Sequence, residues 1–293
     1  MSDFSRALII YNPNSTGNSE LLAKKFCAEL GKLKPGCKVD LMPTTHAGHA
    51  EELGYQLTRK CDGQLLLVSV SGDGGYNELI NGVMKAVDEG AKTPICAILP
   101  GGNANDHHTY ITKRPLHEAV AAGGLTKLDI LRVEAEKTRY AHSYVGLGLT
   151  PLVAVELNKH KLSVIREMWL SLKTFMKFKP FRVLIDGKRK TLDSLIMANV
   201  GVMAKHLKLN PDAGPPQDGK FEILHWSHNH KLRLVQQLLE SAIGKIDAPK
   251  SVTSFAFTTL ATMPMQLDGE LVMLRSNQKV TVTCAAGRLR TYR

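Results

Sequence analysis

Gln64-Leu65-Leu66-Leu67-Val68-Ser69-Val70-Ser71-Gly72-Asp73-Gly74-Gly75-Tyr76-Asn77-Glu78 decides the fold. Its first half is apolar almost throughout, as a strand buried on both faces should be, and such strands belong to parallel sheets covered by helices. Its second half is a glycine turn, where backbone N–H groups can approach an anion, leading into a helical pattern at Tyr76–Asp88. The same alternation extends outward on both sides. Before it come strand Arg6–Tyr11, helix Ser19–Leu33, strand Lys38–Met42 and helix Gly48–Lys60, and after it strand Pro94–Leu99. Strands alternating with helices predict crossovers and a parallel sheet with helices on both faces.

Past Lys127 the pattern changes to short strands separated by the turn pairs Asp186-Gly187, Asp218-Gly219 and Asp268-Gly269, which predicts a mostly antiparallel sheet. Helical patterns interrupt it at Leu152–Lys177 and His230–Ile243. A chain of 293 residues suits two domains. We place them at 1–127, an α/β domain, and 128–293, a β-rich domain. The composition, 43% hydrophobic and 22% charged, is that of a globular protein.

Lys and Arg number 38 against 27 Asp and Glu, a formal charge of +11 that favours an anionic partner: a nucleotide, a nucleic acid or an acidic membrane face. The basic residues are scattered and no aromatic-interleaved RNA pattern accompanies them, which weighs against nucleic acid. Cys27, Cys37, Cys61, Cys96 and Cys284 are widely spaced and odd in number, the pattern of reduced cytosolic thiols. No apolar run approaches the roughly 18 residues of a membrane span, so the expectation is a cytoplasmic protein with peripheral contact to an anionic membrane. The oligomeric state stays open between monomer and homodimer.

Two further turns join the first at the carboxyl edge of the sheet: Asn12-Pro13-Asn14-Ser15-Thr16-Gly17 after strand one, and Pro100-Gly101-Gly102-Asn103-Ala104-Asn105-Asp106 after Leu99. Neither the Walker pattern nor the protein-kinase signatures occur. The order Asn12-Pro13…Gly17, Thr45…Ala50, Gly72-Asp73-Gly74 with Asn77-Glu78 and Asn81-Gly82, then Pro100…Asn105-Asp106, resembles the diacylglycerol and sphingosine kinase catalytic superfamily. The likeness continues through Asn199, Pro211-Asp212-Ala213, Asp218-Gly219 and Asp268-Gly269-Glu270. It implies an ATP-dependent lipid kinase with a second domain built as an antiparallel β-sandwich, its last strands, about 279–293, returning toward the first domain. It also implies ATP held among Asn12, Thr45, Ser71, Gly72, Asp73, Gly74, Gly75, Tyr76, Asn77, Gly102, Asn103 and Asp106.

Transfer of a phosphoryl group to an alcohol needs screened phosphates, an aligned hydroxyl and a proton acceptor. The resemblance assigns proton acceptance to Glu270, with Asp268 aiding position or metal binding. Residues two apart in a strand share a face, so both carboxylates are expected at one site. Asp73 is a natural ligand for the Mg²⁺ of the nucleotide, or else a helix cap. The resemblance places a second, structural Mg²⁺ on Asp218 with the carbonyls of Pro215 and Lys220. His225, His228 and His230 have no evident carboxylate or Cys partner and read as surface or capping residues.

The chain departs from the family pattern Gly-Gly-Asp-Gly-Thr by Ser71 at the first position and Gly75 at the last, which removes a hydroxyl near the phosphates. His107-His108-Thr109, Thr150 and Ala204-Lys205-His206 depart as well, around the acceptor. A nucleotide-binding regulator without turnover and a soluble NAD kinase-like enzyme are the competing readings. The retained carboxylates and the proline motif favour the lipid kinase.

Overall fold

The computed structural model describes residues 3–15, 18–102, 105–112, 114–148, 179–203, 207–208, 215–228 and 249–293. The helical stretches expected at Leu152–Lys177 and His230–Ile243 lie outside these residues. The chain packs as two compact units: Met1–Ile130 with Gly214–Gly219 and Ala285–Arg293, and Leu131–Ala213 with Lys220–Cys284.

The first unit runs β1 (Arg6–Tyr11), α1 (Ser19–Leu33), β2 (Lys38–Pro43), α2 (His49–Arg59), β3 (Leu65–Ser71), α3 (Asp73–Asp88), β4 (Ile95–Pro100), α4 (Asp106–Ile111), α5 (Leu116–Ala121) and the start of β5 (Leu125–Glu134). Strands pair in parallel in the order β2-β1-β3-β4, with Ile9 opposite Leu41 and Val68, and Val68 opposite Ala97. β3 is central, and Leu66, Leu67, Val68 and Val70 are wholly buried. Alternate residues serve the two faces. Ala7, Ile9, Leu66, Val68 and Val70 pack with Phe26 and Leu30 of α1 and Ala119 and Val120 of α5.

α3 begins at Asp73, three residues before the helical pattern suggests, so the glycine turn is the first turn of the helix. α2 and α3 touch closely because Gly82 has no side chain: a Cβ there would overlap the Glu51 carbonyl and come within 2.8 Å of the Tyr55 nitrogen.

Three segments close this unit around Asp129, a carboxylate in the apolar run of β5 that is 3% exposed. Its Oδ2 accepts from Gly219 N (2.7 Å), its Oδ1 accepts from Gly287 N (2.7 Å), and its own N–H donates to Pro216 O (2.7 Å). The chain's last residues, within β17 (Lys279–Tyr292), place Arg290 beside Ile95 of β4, and Tyr292 joins the α1 and α5 core.

The second unit is antiparallel. Its strands are the end of β5, β6 (Thr138–Ala141), β7 (Tyr144–Gly148), β8 (Phe181–Ile185), β9 (Lys188–Ala198), β10 (Val202–Met203), β11 (Leu207–Lys208) and β12 (Phe221–Ser227). β13 (Lys250–Val252), β14 (Ser254–Thr259), β15 (Met263–Leu267), β16 (Glu270–Leu274) and the start of β17 complete it. The main order is β16-β15-β7-β9-β8-β14-β17, and β12 joins β9 and β13. Two hairpins have the two-residue turns that their sequences announce. Asp186-Gly187 joins β8 to β9 and Asp268-Gly269 joins β15 to β16, all four residues at positive φ. Phe221, Phe257, Met265, Leu195 and Val282 belong to the core of this unit.

Candidate nucleotide site and hairpin carboxylates

In the first unit, the ends of β1 and β3, the β2–α2 connection and the two glycine turns line a cavity of about 600 Å³, the size range of small-molecule sites. The turns touch through backbone. Gly101 N donates to Ser71 O (2.9 Å), and a Cβ on Gly102 would overlap the Gly72 Cα. The cavity therefore opens at the N-terminus of the 16-residue α3, where the first-turn N–H groups have no partner within the helix and the dipole favours anions.

Of the residues expected to hold ATP, Asn12, Thr45, Ser71, Gly72, Gly75 and Gly102 line this cavity. Others have different work. Tyr76 is wholly buried, with its hydroxyl donating to Cys96 O (3.3 Å), and burial pushes its phenol well above the ordinary range. Asn77 is 4% exposed, and Asn81 donates to its carbonyl and amide oxygens at 2.9 and 3.0 Å. Asp73 caps α4, its two oxygens accepting from Asp106 N (3.0 Å) and His107 N (3.1 Å), and so ties one glycine turn to the other. Asp106 is buried, and Gly74 sits in the first turn of α3. Asn103 lies outside the described residues.

The rim has local scaffolding. Asn12 Oδ1 accepts from Asn14 N (2.9 Å), folding the β1 turn back on itself. His49 Nδ1 accepts from Thr45 N (3.1 Å), which orients the β2–α2 connection, and His46 stacks on His49 at 4.8 Å. Neither histidine contact has a signature in the sequence.

In the second unit, Asp268 and Glu270 do not share a face. The strand rule fails because Asp268 is the first residue of the two-residue turn, while Glu270 is the first residue of β16: Asp268 has φ 49° and Gly269 φ 101°. Asp268 is wholly buried. Its carboxylate accepts from the N–H groups of His142 (2.6 Å), Ser143 (3.0 Å) and Tyr144 (2.9 Å), with His142 Nε2 at 3.4 Å. Burial raises its carboxyl above the ordinary value, while His142 and the three N–H groups pull it down. Asn199, the residue after β9, donates from Nδ2 to His142 O (2.9 Å) and holds the same segment. Glu270 stands exposed at the start of β16. Burial of its carboxyl by neighbouring atoms raises it above its ordinary value, opposed by Arg139.

Asp218 is exposed in the turn that Asp129 anchors. Among the described residues no three His, Cys, Asp or Glu come together as a metal site. Asp218 alone could serve a hard cation only with backbone carbonyls or water. His228 does have a carboxylate partner, the buried Asp193, at 2.9 Å, which sequence spacing concealed because the two lie on β9 and the end of β12.

The sequence pattern of the diacylglycerol kinase catalytic domain matches residues 6–133. Sphingoid long-chain bases kinase 1 of Arabidopsis thaliana is 33% identical over 155 residues, 48% of this chain and 20% of that protein. A diacylglycerol kinase of Staphylococcus saprophyticus is 26% identical over 284 residues, 90% of this chain and 88% of the relative. The alignment thus spans about a fifth of the plant relative and nearly all of the bacterial one. A solved diacylglycerol kinase structure from Bacillus anthracis str. Sterne has the same fold, with a TM-score of 0.74 and 18% identity over 100% of this chain and 98% of that one. Residues 6–133 are thus similar to the diacylglycerol kinase catalytic domain, relatives over this segment and over most of the chain are named lipid kinases, and the fold is that of a solved diacylglycerol kinase.

Proposed function

We propose that the chain transfers the γ-phosphate of ATP to a hydroxyl of diacylglycerol or a similar lipid. The cavity at the N-terminus of α3, bounded by two backbone-packed glycine turns, is the observation that carries this reading. Its lining, the N-terminus of α3 with the hydroxyls of Thr45 and Ser71, suits a polyphosphate. Mg²⁺, when bound with ATP, screens the phosphate charge, and Asp73 is the nearby carboxylate that the family pattern offers it. A second Mg²⁺ on Asp218 with the carbonyls of Pro215 and Lys220 is part of the same reading.

The transfer forms a bond from the lipid oxygen to the γ-phosphorus and breaks the bond to the bridging oxygen, which leaves on ADP. The hydroxyl proton passes to Glu270, the exposed carboxylate of the β15–β16 hairpin. Asp268 acts beneath it by fixing the turn. A charge of +11 suits peripheral contact with an anionic membrane. Among the described residues no helix is long and apolar enough to cross one.

The test is a panel of diacylglycerol, monoacylglycerol, a sphingoid base and NAD with ATP labelled at the γ-phosphate. Label in a lipid is the expected result. Label in NAD alone overturns the lipid acceptor, and ATP binding with no label anywhere makes the chain a nucleotide-binding regulator.

A further inference from the structure

We propose that the Ser71 hydroxyl is a phosphate-binding group of the nucleotide cavity, taking the place of the hydroxyl that the family pattern puts at residue 75. The proposal rests on the ATP reading above and deepens it. Ser71 ends β3 and Gly75 sits in the first turn of α3, and both line the cavity. A Cβ built on Gly75 would lie 2.8 Å from the Ser71 Cβ and 3.0 Å from its Oγ. Real Cβ atoms do not come that close, so a side chain at 71 and one at 75 compete for one space. The two departures from the family pattern are thus a single exchange. The hydroxyl has moved from the helix turn to the strand end, within 3.0 Å of the point where a residue-75 side chain would begin.

The surroundings suit a donor to phosphate. Ser69 is 2% exposed, and its Oγ lies 2.7 Å from the Ser71 Oγ, so it can donate to Ser71 and fix that oxygen from below. The Ser71 proton is directed at Gly72 O, 3.0 Å away. Rotation about the C–O bond exchanges this neutral bond for one to a phosphate oxygen at the α3 N-terminus. A charge-assisted bond of that kind is about twice as strong as a neutral one, so the exchange favours the ligand. Ser69 continues to hold the oxygen during the exchange.

The test is ATP affinity by titration calorimetry with the full chain, alongside its melting temperature, for Ser71→Ala, Gly75→Thr and the double variant Ser71→Gly/Gly75→Thr. Ser71→Ala removes the hydroxyl with little change of volume, and it should weaken ATP binding roughly 10-fold while lowering the melting temperature only by the loss of the Ser69 partner. Gly75→Thr should weaken binding and lower the melting temperature through the clash. The double variant, which restores the family arrangement, should bind ATP more tightly than either single variant. Unchanged affinity in Ser71→Ala overturns the proposal, whether or not Gly75→Thr folds. A double variant no better than Gly75→Thr overturns the exchange. Failure of the unaltered chain to bind ATP is a different result, which overturns the nucleotide reading itself and this proposal with it.

Discussion

Glu270 opens β16 at the surface, yet neighbouring atoms withhold enough water to raise its carboxyl above the ordinary 4.5, against the pull of Arg139. A general base acts only when ionised, so activity is lost as pH falls through the raised value. The acid limb of kcat/KM is expected above 4.5, and Arg139→Met should move it further up. Glu270→Gln should leave ATP affinity intact and lower kcat by about 10²–10⁴-fold, with the limb abolished. A near-native kcat with an authentic lipid acceptor would remove Glu270 as the base. Asp268 behaves differently because its carboxylate is enclosed by three N–H groups of the His142–Tyr144 segment. Asp268→Asn turns an amide donor toward N–H donors and should cost roughly 3 kcal/mol in urea unfolding. Added Mg²⁺ should not restore its activity, and restoration would return Asp268 to the metal.

At the scale of elements, the cavity depends on how closely α2, α3 and the glycine turns approach one another. Gly82 in mid-helix costs α3 about 0.5–1 kcal/mol relative to Ala, yet it lets the helix reach the Glu51 carbonyl of α2. Gly82→Ala should therefore destabilise the protein by about 1–3 kcal/mol despite the better propensity, as read by urea unfolding. A gain in stability would show that the helices have room to separate. The same economy of space explains why Asp73 serves as a cap. The turn that carries it stands against the N-terminus of α4, and a carboxylate there satisfies two backbone N–H groups.

For the whole molecule, the first unit is assembled from three separated stretches of chain, and Asp129 is where they meet. Asp129→Ala strands the N–H groups of Gly219 and Gly287 in a largely buried place and should lower the melting temperature by several degrees. Asp218→Ala isolates the question of a structural cation. If Mg²⁺ binds the turn, added Mg²⁺ raises the melting temperature of the unaltered chain and not of this variant. An equal response in both would assign the turn's stability to Asp129 alone.

The sequence by itself determined the features that local chemistry dictates: the apolar β3, the strand–helix alternation, the two-residue hairpins at Asp186-Gly187 and Asp268-Gly269, and the family order of the glycine turns. Each of these is a pattern over neighbouring residues, which backbone sterics and alternate burial translate directly into structure. The tertiary structure alone decided which polar groups are consumed in holding the fold. Tyr76 and Asn77, adjacent to a glycine turn, went to the core. Asp73 became a cap for a helix 33 residues away in sequence. Asp268 turned inward to N–H groups 124–126 residues away, while Glu270 remained outside. Asp129, an isolated charge in an apolar strand, gained its partners from segments 90 and 158 residues away. A buried carboxylate must find donors wherever the packed chain offers them, and sequence spacing carries no record of contacts made across that distance.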